Sequence, residues 1–105
     1  MATTIAKPLS MAEFAAQAAE VADLLKELAN EKRLMILCSL IDEKHMTVTD
    51  LAAVVDLSQS ALSQHLARLR EQNIVSFKRV GASLYYSVAD AKVGKILKTL
   101  KSIYC

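Results

Sequence analysis

The sequence predicts an α+β domain that is mostly helical, with about five helices and one β-hairpin. Three observations lead there. Side chains suited to cap a helix precede amphipathic stretches at Ser10, Asn30, Thr47, Ser58 and Asp90. Between Ile74 and Val88 the apolar period changes from 3.6 residues to 2. Only two Gly and one Pro occur in 105 residues, which favours long helices joined by short connections.

Residues 1–9 read as a flexible tail that reaches Pro8, and 10–105 as one domain. Ser10-Met11-Ala12-Glu13 has the form of a capping box, in which the Ser oxygen takes a free helix amide and the Glu reaches back. Phe14, Ala18, Val21, Leu25 and Leu28 follow at spacings of three and four, giving a first helix to about Ala29. Asn30 opens a second helix with an apolar stripe of Leu34, Leu37, Cys38 and Ile41. Asp42 to Met46 reads as a polar connection. Thr47 caps a short helix from Val48 to about Val55, with Leu51, Ala52 and Val55 inward. Asp56 and Leu57 make a brief turn, and Ser58 caps a longer helix to about Gln72. A short helix, a tight turn and a longer helix make a helix-turn-helix. Ile74–Val80 and Ser83–Val88 are β-rich runs around Gly81-Ala82, and glycine first suits a type II′ hairpin turn. Tyr85 and Tyr86, as strand neighbours, point to opposite faces and anchor the hairpin. Asp90 caps a last helix with Val93, Ile96, Leu97, Leu100 and Ile103 on one side. The hairpin behind the helix-turn-helix makes the whole a winged arrangement.

Composition narrows the function. Hydrophobic residues make up 53% and charged residues 23%, enough for a packed core and against general disorder. No apolar run approaches the ~18–20 residues of a membrane span, and the first ten residues lack a signal-peptide core, so a cytoplasmic protein is expected. An enzyme is not expected. The two histidines, His45 and His65, stand twenty positions apart, and no Gly-rich phosphate loop or hydrolase motif is present. The net charge of +2 conceals an asymmetry. Residues 1–57 carry five Lys/Arg against nine Asp/Glu, and residues 58–105 carry eight against two. A basic half of this kind suits a polyanion partner.

The helix after Ser58 carries the sharpest signal. With successive residues 100° apart, Leu62, Leu66 and Leu69 fall within about 60° of one another and mark the core side. The other side collects Ser60, Ser63, Gln64, Ala67 and Arg68, with no acid among them. A helix entering a DNA major groove needs such residues: Gln pairs with adenine, Arg with guanine or phosphate, and Ser with either. Ser58, Gln59 and Ser60 add free backbone amides for a phosphate at the helix N-terminus. His65 sits at the flank, where it either reaches DNA or completes the packing. Lys78 and Arg79 precede the hairpin tip and would lie along the neighbouring backbone or minor groove.

Three ordered stretches resemble the ArsR/SmtB winged-helix regulators: Leu28-Ala29-Asn30-Glu31-Lys32-Arg33-Leu34-Met35-Ile36-Leu37, the run from Leu57 to Arg70, and the wing from Val75 to Val88. Within that family the likeness is greatest to the haemolysin-regulator and sulfide-responsive types. The resemblance implies a homodimer built on the first and last helices, bound to double-stranded DNA at an imperfect palindrome. The apolar stripes at 14–28 and 93–103 suit such an interface and suit an ordinary core equally. The haemolysin-regulator likeness implies a virulence-related role. The family's metal sites find no counterpart. Thr47 to Leu51 holds no Cys where a thiolate pair would stand, Asp90 lacks its histidine partner, and Lys98 to Lys101 brings positive charge to the last helix. No metal and no cofactor are expected. Leu37-Cys38 and Tyr104-Cys105 fall on the two positions that carry the reactive thiols in the sulfide-responsive type, so Cys38 and Cys105 are the candidate redox or persulfide switch. Without that likeness, Cys38 reads as a small buried hydrophobe. Two other functions stay open: a non-sensing DNA binder that displaces a silencing protein, and a winged helix used for protein docking.

Overall fold

A computed structural model describes residues 10–104; the expected tail at 1–9 and Cys105 lie outside the described residues. In chain order the elements are α1 (Met11–Leu28), α2 (Glu31–Glu43), β1 (Met46–Thr47), α3 (Val48–Val55), α4 (Gln59–Glu71), β2 (Val75–Val80), β3 (Ser83–Val88) and α5 (Ala91–Tyr104). Every expected cap forms. Ser10 Oγ accepts from the Glu13 amide at 3.1 Å while Glu13 Oε1 accepts from the Ser10 amide at 2.9 Å. Asn30, Thr47 and Ser58 accept the amides of Arg33, Asp50 and Ala61 in the same way. Asp90 Oδ1 accepts the Lys92 amide at 2.8 Å. Each bond satisfies one of the amides that a helix start leaves without a partner.

The stretch expected to be a polar connection is instead split. α2 continues to Glu43, and Met46-Thr47 forms a strand that pairs antiparallel with β3, Met46 opposite Tyr86 and Thr47 opposite Tyr85. The sheet therefore has three strands in the order β1-β3-β2. Burial of the Met46 side chain supplies the reason, since it brings the backbone beside the inner end of β3. In the hairpin, Gly81 has φ +62° and Ala82 has no positive φ, as a type II′ turn requires. Tyr86 is buried and Tyr85 exposed. The Tyr86 ring meets its cross-strand partner Phe77 at 5.4 Å between centroids.

The core gathers Ile36, Leu37 and Leu40 of α2, Leu51 and Val55 of α3, Leu62, Leu66 and Leu69 of α4, Ile74 and Val75, and Val93 and Leu97 of α5. The α1 stripe mostly does not join it. Leu28 is buried and Leu24 half-buried, but Phe14 is 47% exposed and Leu25 51%, and Val21 is also exposed. Leu100 and Ile103 at the end of α5 are exposed as well. Within one chain, then, the first and last helices each hold apolar surface that the core does not use.

The two glycines should respond oppositely to alanine. A Cβ at Gly81 would meet nothing within 4 Å, so the cost is conformational alone. Gly81→Ala should destabilise by about 1–2 kcal/mol, because the turn needs positive φ. Gly94 lies inside α5, where a Cβ would touch only Ile41 Cδ1 at an ordinary 3.6 Å. Gly94→Ala should stabilise by about 0.5–1 kcal/mol. Urea titration of both variants measures the two signs.

Candidate nucleic-acid interface

The helix-turn-helix is held by short-range polar contacts at its corner. Lys32 Nζ donates to the Val55 carbonyl at 3.0 Å and so closes the last turn of α3 with a positive charge. Asp56 then takes the left-handed conformation, φ 55° and ψ 56°, which an Asp tolerates better than most residues. Ser58 starts α4, and Gln59 Nε2 donates to Thr49 Oγ1 at 3.3 Å across the corner. Burial of Leu62, Leu66 and Leu69 fixes the rotation of α4 about its axis. That rotation leaves Ser58, Gln59, Ser60, Ser63 and Gln64 exposed together and His65 half-buried.

Arg68 differs from that group in having a fixed partner. Its position is on the same side, exposed and about 40° round the helix from Gln64, but its guanidinium turns away to Glu27 near the end of α1. Nε donates to Glu27 Oε1 at 2.8 Å and Nη2 to Oε2 at 3.0 Å, a two-bond fork. Arg33 Nη1 adds a third bond to Oε1 at 3.2 Å. Glu27 is only 5% exposed and is the one buried charged side chain among the described residues. The Arg68 bonds hold its carboxyl at about 2, from an ordinary 4.5, against the opposing effect of burial; a bond from the Gln72 side chain and the charge of Arg33 add to the lowering. Nearby, burial and the charges of Arg33 and Arg68 push His65 below its ordinary value, so its ring is neutral at pH 7.

On the wing, Lys78 and Arg79 are exposed and, as strand neighbours, face opposite sides of β2. Arg70 is not available in the same way, since its guanidinium carbon sits 4.7 Å from the Phe77 ring centre and ties α4 to β2. Cys38 is half-buried on α2, packed against the core. Among the described residues no group of three His, Cys, Asp or Glu is placed to hold a metal ion, and no helix is long and apolar enough to cross a membrane. Two residues that shape this region escape the sequence reading, Glu27 and Lys32. The available sign for Glu27 was its position: an acid three residues after Leu24 and one before Leu28, on the side of α1 that meets the body.

Residues 30–76 match the family model described as bacterial regulatory protein, arsR family. The transcriptional activator HlyU of Vibrio cholerae is 38% identical over 98 residues, which cover 93% of this chain and 90% of that protein. The chain belongs to the ArsR family. The nodulation protein NolR of Rhizobium meliloti is 53% identical over 83 residues, 79% of this chain and 67% of that one. A solved structure titled as reduced HlyU from Vibrio cholerae superposes with a TM-score of 0.84 at 38% identity, covering 90% of this chain and 99% of that one. This ArsR-family chain is accordingly a DNA-binding transcriptional regulator with a winged-helix fold, and not an enzyme.

The Glu27 carboxylate sets an acid limit on the fold. Its folded value lies below its unfolded one, so its contribution is complete above pH 4.5 and is lost as pH falls towards 2. The contribution is on the order of 2 kcal/mol once screening of the exposed Arg68 side is allowed for. His65 acts in the same direction at higher pH, because unfolding lets it take up a proton below its ordinary value of 6.5. Denaturant midpoints recorded from pH 7 to 2 should fall in two steps. Glu27→Gln should shrink the lower step to the part that Glu13 contributes, whose carboxyl the Ser10 amide and hydroxyl also hold below its ordinary value.

Proposed function

We propose that this ArsR-family regulator binds a palindromic operator as a homodimer through α1 and α5, and that its DNA affinity is set by the oxidation state of Cys38 and Cys105. The observation that carries the DNA reading is the exposed, acid-free face of α4, with Ser58, Gln59, Ser60, Ser63 and Gln64 presented together and backed by a fully buried leucine side. Gln64 and the serines suit base edges, and the N-terminus of α4 suits a phosphate. His65, pushed towards its neutral form at the flank, suits a hydrogen bond there, while Lys78 and Arg79 supply phosphate contacts from the wing. Exposed Phe14, Val21 and Leu25 on α1, with Leu100 and Ile103 on α5, support the dimer, because a second copy would cover them. The two subunits would then place their α4 helices in successive major grooves about 34–36 Å apart.

The thiol reading rests on Cys38 together with the family likeness at Tyr104-Cys105. A low-molecular-weight persulfide, RSSH, would supply the oxidising equivalents. Attack by one thiolate releases RSH and leaves a protein persulfide; attack by the second thiolate on the inner sulfur of that persulfide releases hydrogen sulfide and closes the disulfide. Such a bond would tie the end of α5 to α2 and change the spacing of the two α4 helices. A relative structure titled as reduced HlyU is compatible with a redox-responsive fold. The HlyU likeness also supports a virulence-related target, and the family role a cytoplasmic site of action.

Fluorescence anisotropy with a duplex from the gene's own upstream region tests both parts. Reduced protein should bind at nanomolar concentration and lose about tenfold or more after persulfide treatment, within the usual range of allosteric coupling. Tight binding that persulfide leaves unchanged would discard the switch and favour a non-sensing competitor of a silencing protein. No sequence-specific binding in either state would favour protein docking. Ser60→Glu or Gln64→Glu should each lower affinity for the operator about tenfold or more through repulsion from phosphate.

A further inference from the structure

Glu27 sits where a DNA-binding protein has least reason to keep an acid. It is buried at the end of α1, yet both its oxygens are held by an arginine from the recognition helix, forty-one positions away in the chain. The Arg68 side chain is 59% exposed while that of Glu27 is 6% exposed, so the guanidinium lies at the surface with the carboxylate behind it. A guanidinium carries five N–H groups. Glu27 takes the Nε proton and one Nη2 proton, leaving the end-on edge, from Nη1 and the second Nη2 proton, facing away from the carboxylate. Arg68 also stands ten residues beyond Ser58, about 15 Å along the helix axis, whereas recognition helices read bases chiefly with their first turns. A pinned, end-on fork at that distance from the helix N-terminus suits a phosphate better than a base.

We propose that Glu27 is a positioning residue for DNA binding, a buttress on α1 that aims the free edge of Arg68 at a backbone phosphate. The inference rests on the DNA reading given above. It makes a prediction opposite to that of simple charge. Removing a carboxylate from a DNA-facing surface adds positive charge, which by itself strengthens binding to every duplex. If Glu27 aims Arg68, its removal weakens binding instead, because the unpinned guanidinium no longer holds the phosphate: one exposed contact returns less than the rotamer freedom it would have to give up.

Anisotropy titrations of the full chain against the upstream duplex and a scrambled duplex of equal length, repeated over a range of salt, separate these outcomes. Glu27→Gln keeps the shape of the side chain and an oxygen for Arg33, and Arg68→Gln removes the fork. Each should weaken binding to both duplexes about fivefold to tenfold, as loss of one charge-assisted contact does. Each should also reduce the salt slope by about one, as loss of a phosphate contact does. The double variant should bind no more weakly than Arg68→Gln alone, since Glu27 acts only through Arg68. Circular dichroism at the assay temperature fixes the folded fraction, and affinities are compared per folded molecule. Tighter binding by Glu27→Gln, an unchanged salt slope, or losses that add in the double variant would each overturn the buttress. So would a deficit that vanishes on correction for folded protein. A loss confined to the upstream duplex would make Arg68 a base reader and overturn the phosphate assignment. Failure of the unaltered protein to bind DNA would instead refute the DNA reading itself.

Discussion

The arrangement depends first on the burial of three leucines. Leu62, Leu66 and Leu69 lie on one side of α4 and are essentially inaccessible, and each contributes roughly 1.5–3 kcal/mol by leaving water. Their burial fixes the rotation of the helix. A turn by one residue, about 100°, would expose leucines and press Ser63 or Gln64 into an apolar core that offers them no partners. The short polar side chains thus face outward because of what lies behind them. Leu51 and Val55 of α3, with Ile36, Leu37 and Leu40 of α2, form the bed for this side.

Hydrophobic burial fixes rotation well and tilt less well, because it has no direction. The ion cluster at Glu27 supplies direction. Two arginines from different helices converge on one carboxylate of a third, with three bonds between 2.8 and 3.2 Å. A buried ion pair adds little net stability compared with an apolar replacement, yet taking away one partner leaves the other charged and poorly solvated. The cluster therefore penalises any approach of α1, α2 and α4 other than the observed one. Arg33 shows how demanding the site is: its Nε is buried with no hydrogen-bond partner.

Much of the fold was legible because helix capping is a local signal. Ser10, Asn30, Thr47, Ser58 and Asp90 each act on an amide two or three residues away, so the residues that decide the start of a helix lie next to one another in the chain. Gly81 was legible for the same reason. β1 was not, since two residues are too few to show a period and the partner strand lies some forty positions on. The apolar stripe on α1 was seen, but a stripe records which side avoids water and not what covers it. Of the candidate interface, the N-terminal half of α4 was read correctly as an exposed polar face. The helical angle of Arg68 puts it on that face but says nothing of where its guanidinium points, which a bond to a residue forty-one positions away decides.

Thr47 holds two structural roles at once. Its backbone pairs with Tyr85 of the hairpin, and its side chain caps α3. The hairpin is thereby joined to the first helix of the helix-turn-helix through a single residue, with no linker between them, and Arg70 against Phe77 makes a second joint from the other helix. A wing mounted in this way is no separate flap. It and the helix pair form one body, with the angle between them set at folding. Strain placed on the wing is then felt at the start of α3, and the wing has no hinge of its own through which to relieve it.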